Sequence, residues 1–72
     1  MLFHERLNAS RKARGFTAAQ MAEALGIGVR SYRNYESAAR EPSLDTLCRI
    51  ADLLGVTTDY LLCRDEAFSD GR

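Results

Sequence analysis

The stretch from Thr17 to Glu36, TAAQMAEALGIGVRSYRNYE, restricts the folding of this chain more than any other segment. It reads as two helices joined by a tight turn. Thr17 is a good N-cap, and Gln20, three positions on, completes a capping box. Phe16 and Met21 stand where a hydrophobic staple would close over that cap. Counting Ala18 as the first position, Ala22 is fifth, Gly26 ninth, Tyr32 fifteenth and Tyr35 eighteenth. A small side chain at the fifth lets the second helix approach closely. The ninth needs positive φ, which glycine adopts without steric cost. Met21, Leu25 and Ile27 supply the apolar groups that two such helices bury between them. Tyr32, Tyr35 and Glu36 recur at helical spacing and are expected to point inward together. The unit so specified is a helix-turn-helix.

The rest of the chain continues the helical pattern, and no strand signal is convincing. A first helix is expected from about Leu2 to Arg14, with Phe3, Leu7 and Ser10 on one face and Gly15 ending it. After the two helices of the motif, Ser37 to Pro42 reads as a loop. Ser43 then caps a fourth helix carrying Leu44, Leu47, Cys48, Ala51 and Leu54, which Gly55 stops. Thr57 caps a short fifth helix with Tyr60, Leu61 and Leu62. The expected fold is therefore an all-α, five-helix domain over residues 1–64, with a frayed tail over 65–72.

Composition narrows the function classes. With 46% apolar and 28% charged residues, the chain has a globular rather than a disordered balance. Cys48 and Cys63 have no companion ligands at metal spacing and are expected as reduced, partly buried apolar groups. His4 stands alone, so no metal or cofactor is expected. No phosphate-cradling glycine loop or nucleophile elbow is present, which speaks against an enzyme. A signal peptide and a membrane-length apolar run are both missing, so a cytoplasmic location without membrane partners is expected.

The net charge is zero, but its distribution is uneven. Residues 1–40 carry seven basic side chains against three acidic ones; residues 41–72 carry three against seven. A basic half can meet phosphate while an acidic half faces away. The outer face of the third helix adds Arg30, Ser31, Arg33 and Asn34, groups that bond phosphates and base edges, with Val29 at its rim.

The segments RKARGFTAAQMAEALGIG, NYE and REPSLDTLCRIADLLGVTTDYLL resemble the Xre family of lambda-repressor-like and Cro-like domains, over roughly Phe3 to Leu62. That resemblance implies a sequence-specific regulator of transcription, a repressor or autoregulator. It would bind double-stranded DNA as a homodimer on a short inverted repeat. By position in the family, Val29, Arg30 and Asn34 would face base edges. Arg33 and Arg40 would meet phosphates, helped by Ser31 and Ser37. Arg11 and Glu36 would pair to fix the third helix to its scaffold, alongside Thr17, Ala22, Gly26, Tyr32 and Tyr35. Tyr60, Leu61, Leu62 and Phe68 are the candidates for a dimer face, the alternative being ordinary packing onto helix 1. A second function class stays open: an antitoxin-type module whose acidic half binds a small protein partner, with DNA secondary.

Some positions depart from the family. Ala18 replaces a frequent Gln, Gly28 a frequent Ser or Thr cap, Ala38 the usual Gly, and Ala39 a common Lys. Fewer phosphate contacts imply weaker DNA binding, or a greater reliance on dimerisation and Arg30.

Overall fold

The structure is a computed structural model and describes residues 1–64. Five helices follow one another: α1 (Phe3–Ala13), α2 (Ala18–Leu25), α3 (Val29–Glu36), α4 (Leu44–Leu54) and α5 (Thr58–Leu61). No strand occurs among the described residues. The expected tail, 65–72, lies outside them.

Local chemistry sets each boundary. Glu5 reaches back to the Leu2 amide (3.0 Å) and fastens the start of α1. Thr17 Oγ1 accepts from the Gln20 amide (3.0 Å), and the Gln20 side chain returns the bond to the Thr17 amide (2.9 Å). Ser43 and Thr57 cap α4 and α5 through the amides of Thr46 and Tyr60. Gly26 ends α2 at φ +73°, in the left-handed region where glycine alone is unstrained. The amides of Gly26 and Ile27 then bond back to the last turn of α2 and satisfy its carbonyls.

The core is a single cluster. Leu7, Tyr32, Ile50 and Leu61 are fully enclosed, with Met21, Ala22, Leu25, Leu47, Ala51 and Leu54 around them. α3 packs on α2 and α1, α4 on α2 and α5, and α5 returns to α1. Ala22, 2% exposed, sits within this packing, where its small side chain keeps the two helices of the motif close. Arg6 ties α5 to α1 by stacking on the Tyr60 ring (4.3 Å to the centroid) and bonding its carbonyl oxygen (3.0 Å). Arg14 does the same for α4, bonding the Leu54 carbonyl oxygen (2.9 Å) at the helix end.

Three expectations need correction. On α4 the buried stripe is Leu47, Ile50, Ala51 and Leu54, whereas Leu44 is 81% exposed and Cys48 is exposed. Leu44, in the first turn, projects past the rim of the core. Cys48 is turned about 100° from Leu47 and so leaves the apolar stripe. Leu61, expected at a dimer face, is completely enclosed and packs with Leu7 and Ile50 in the core cluster. The alternative, packing inside the domain, is what Leu61 does, and it presents nothing to a partner.

Ala38 follows α3 at φ +68°, in the left-handed region that costs an L-residue roughly 1–2 kcal/mol. Its side chain is exposed, so the core is untouched by removing it. Glycine gives back part of that gain through its freer unfolded chain, roughly 0.5–1 kcal/mol. Ala38→Gly is therefore expected to raise stability by about 0.5–1 kcal/mol, read as a higher urea midpoint at unchanged slope.

Candidate nucleic-acid interface

α3 is held from beneath by a polar knot. Glu36 ends the helix on its inner side and receives four hydrogen bonds. Arg11 Nε reaches its Oε2 at 2.6 Å and Arg11 Nη2 its Oε1 at 3.2 Å. The Tyr32 hydroxyl donates to Oε2 at 2.5 Å and the Asn8 amide to Oε1 at 2.7 Å. Arg11 Nη1 also bonds the Phe16 carbonyl oxygen (2.8 Å), just before the cap of α2. One guanidinium thus links α1, the start of α2 and the end of α3. Both charged side chains are largely enclosed, at 13% and 11% exposure. Asn8 is not legible as part of this knot from sequence. Its spacing of three from Arg11 on the same helix face is the signal that could find it.

The electrostatics follow from that enclosure. Burial pushes the Glu36 carboxyl up, but the bonds from Arg11, Tyr32 and Asn8 outweigh it and hold its pKa below the usual carboxylate value. Burial first, then the adjacent carboxylate, pushes the Tyr32 phenol far above its ordinary range. The hydrogen bond to Glu36 is the main reason that the Arg11 pKa is raised. No buried side-chain nitrogen or oxygen among the described residues lacks a partner.

Above the knot lies the exposed side of α3. Val29, Arg30, Ser31 and Arg33 are exposed, Asn34 is half-buried, and Ser37 and Arg40 are exposed beyond the helix end. The Asn34 carbonyl oxygen accepts from the Ser37 hydroxyl (3.3 Å) and the Arg40 amide (3.2 Å), which folds the following turn back against the helix. Among the described residues, Arg30, Arg33 and Arg40 make no ion pair and no side-chain hydrogen bond. Arg11 and Arg14, by contrast, are spent on the fold. An open groove beside α3 is lined by Thr17, Ala18, Arg33 and Ser37, so the first turn of α2 and one free guanidinium share a wall. Tyr35 is half-buried and meets Tyr32 edge to face, with centroids 6.3 Å apart at 78°. Of the expected dimer residues, Tyr60 and Leu62 are partly exposed, and Phe68 lies outside the described residues.

A two-helix unit with a clamped inner face and an unpaired cationic outer face is the geometry of a helix-turn-helix, and the helix-turn-helix family model matches residues 7–61. The chain belongs to this family. Among curated helix-turn-helix proteins it is similar to the transcriptional regulator ImmR of Bacillus subtilis, 42% identical over 66 residues, 92% of this chain and 52% of that one. It is also similar to RstR, a cryptic phage CTXphi transcriptional repressor of Vibrio cholerae, 44% identical over 64 residues, 89% of this chain and 57% of that one. The chain thus spans about half the length of the curated relatives it matches. Among solved structures it is similar to the P22 c2 repressor protein in complex with a synthetic operator. The TM-score is 0.83 at 28% identity, over 90% of this chain and 98% of that one. The lambda-repressor-like fold expected from the sequence is therefore the fold observed. No helix among the described residues is long and apolar enough to cross a membrane.

Proposed function

We propose that the chain is a sequence-specific double-stranded DNA-binding regulator of transcription, a repressor or autoregulator, working as a homodimer on a short inverted repeat. The observation that carries this is the set of unpaired arginines on and beside α3, placed over a helix whose inner face is clamped. In this reading Arg30 and Asn34 meet base edges: Arg30 the O6 and N7 of guanine, Asn34 the N6 and N7 of adenine. Val29, 39% exposed at the start of α3, is an apolar group suited to a thymine methyl. Arg33 and Arg40 neutralise phosphate, with Ser31 and Ser37 beside them. Two copies would set their α3 helices in successive major grooves, about 34 Å apart. The role is binding, with no catalytic step, and it is carried out wherever the chromosome is.

Salt dependence separates the two kinds of contact. Arg40→Ala is expected to weaken binding to every duplex alike and to reduce the slope of log affinity against log salt by about 0.9 for each phosphate no longer neutralised. A titration of unchanged slope, with weakening confined to one sequence, would remove Arg40 from the phosphate set.

A further inference from the structure

The Glu36 carboxylate is gripped unevenly. Its Oε2 accepts from Arg11 Nε at 2.6 Å and from the Tyr32 hydroxyl, while Arg11 Nη2 reaches Oε1 only at 3.2 Å. The short bond to Oε1 comes from the half-buried Asn8, at 2.7 Å. An ionised carboxylate only accepts, so Asn8 turns its NH2 group towards Glu36 and its oxygen away. Arg11 alone would favour two parallel bonds of similar length to that carboxylate. Without the Asn8 donor the carboxylate would turn to even them, moving Oε2 against the enclosed Tyr32 hydroxyl.

Glu36 is the last residue of α3, whereas Tyr32, one turn earlier, is fixed in the core. Arg33 and Asn34 lie between these two anchors. Just beyond, the Ser37 amide bonds the Arg33 carbonyl oxygen (3.0 Å) and the Arg40 amide that of Asn34 (3.2 Å). Asn8, Arg11 and Glu36 also line the open groove that Arg33 and Ser37 border. Arg30 lies before Tyr32, on the half of α3 that follows directly from the turn at Gly26.

We infer that Asn8 is a positioning residue for DNA reading: by holding Glu36 Oε1 it sets the last turn of α3, and with it the placement of Arg33 and Asn34. The inference rests on the DNA-reading role proposed above and adds to it a residue on the inner side of the helix.

Asn8→Leu, of similar size, removes the donor and leaves the charges of the knot in place. Leucine is the better helix former, so α1 gains propensity as the bond is lost, and the variant folds. Asn8→Gln keeps an amide donor on a longer arm, for which the open groove has room. Thr57→Ala uncaps α5, which packs on α1 and α4, and so controls for a general loss of stability. Each chain is titrated, well below its melting temperature, onto a selected duplex, onto single-base variants of it and onto a scrambled one. Asn8→Leu is expected to keep its affinity for the scrambled duplex and to lose about tenfold in discrimination. The loss falls at the base pair that Asn34→Ala relaxes and spares the one that Arg30→Ala relaxes. Asn8→Gln restores most of it, and Thr57→Ala melts lower with discrimination intact. Amide hydrogen exchange without DNA is the second readout. Asn8→Leu is expected to speed exchange at Ser37 and Arg40 about tenfold and to leave Ile27, in the turn of the motif, as it was. Unchanged discrimination in Asn8→Leu overturns the inference and leaves Asn8 as a partner that only satisfies Glu36. So does a loss that Thr57→Ala shares, since it then follows stability alone. Equal weakening on every duplex also overturns it, because Asn8 is then a phosphate contact. If the parent discriminates between no duplexes, the DNA-reading role has failed instead. Exchange then decides the positioning: faster exchange confined to Ser37 and Arg40 supports it, and unchanged protection there overturns it.

Discussion

Glu36→Ala is expected to destabilise the domain by about 3–5 kcal/mol, the cost of leaving one member of an enclosed ion pair alone. The substitution orphans more than the Arg11 guanidinium. The Tyr32 hydroxyl and the Asn8 amide also lose their acceptor, Tyr32 being wholly enclosed. Domains of this kind hold only about 5–15 kcal/mol in total, so a large part of the population unfolds. Glu36→Gln keeps an acceptor oxygen but removes the charge, and is expected to cost about 1.5–3 kcal/mol, the range of a hydrogen bond to a charged group. Urea denaturation at neutral pH separates the two variants. Acid provides the same test without mutation. The folded pKa of Glu36 lies below its ordinary value of 4.5. The stability it contributes is therefore fully present above pH 4.5 and is lost as pH falls through the lower, folded value. The Glu36→Gln domain should lack that part of the acid dependence. A parent and a Gln variant with superimposable pH profiles would mean that the carboxylate is not the anchor.

The second large effect is on DNA. Arg30→Ala and Asn34→Ala are each expected to cost about 1–3 kcal/mol of binding and to relax preference at particular base pairs. Both side chains lie on one helix face, so the double variant tests whether they act independently. An additive effect, up to about 6 kcal/mol, brings specific affinity down towards the level of phosphate contacts alone. The contrast with Arg40→Ala is the informative part. Weakening at named base pairs with an almost unchanged salt slope marks base reading; a lower slope without change of preference marks phosphate. Competition gel shifts with single-base variants of the site distinguish these outcomes. Equal weakening on all variants by Arg30→Ala would remove Arg30 from the reading set.

The fold is legible from the sequence wherever a boundary depends on local chemistry. Thr17 with Gln20, Ser43, Thr57, Gly26 and Gly55 act through bonds or dihedral angles only a few residues wide, and each bounds a helix where expected. The inner face of α3 is legible too, because helical spacing brings Tyr32 and Glu36 together on one side. What escapes depends on where a helix lies against its neighbours. Periodicity alone does not say that the first turn of α4 overhangs the core, or which edge of the apolar stripe meets it, so Leu44 and Cys48 read as buried while Ile50 does not stand out. Leu61 is the same problem in reverse: an apolar residue on a short terminal helix suits a partner or a core equally, and only its docking on α1 decides. Asn8 escapes because its spacing of three from Arg11 gains meaning only once their shared acceptor, 28 residues from Asn8, is in place. The outer face of α3 is a different case. Its residue types announce a polar contact, but the bases they meet are set by the docking of the whole domain on a duplex.

Selection from a random pool of duplexes tests the central claim most directly. The full chain should enrich a two-fold symmetric sequence with half-sites about 10 base pairs apart, centre to centre. It should contain guanine or adenine at the positions that Arg30→Ala and Asn34→Ala then relax. A pool left without any enriched sequence at low salt, where phosphate contacts are strongest, would contradict the account.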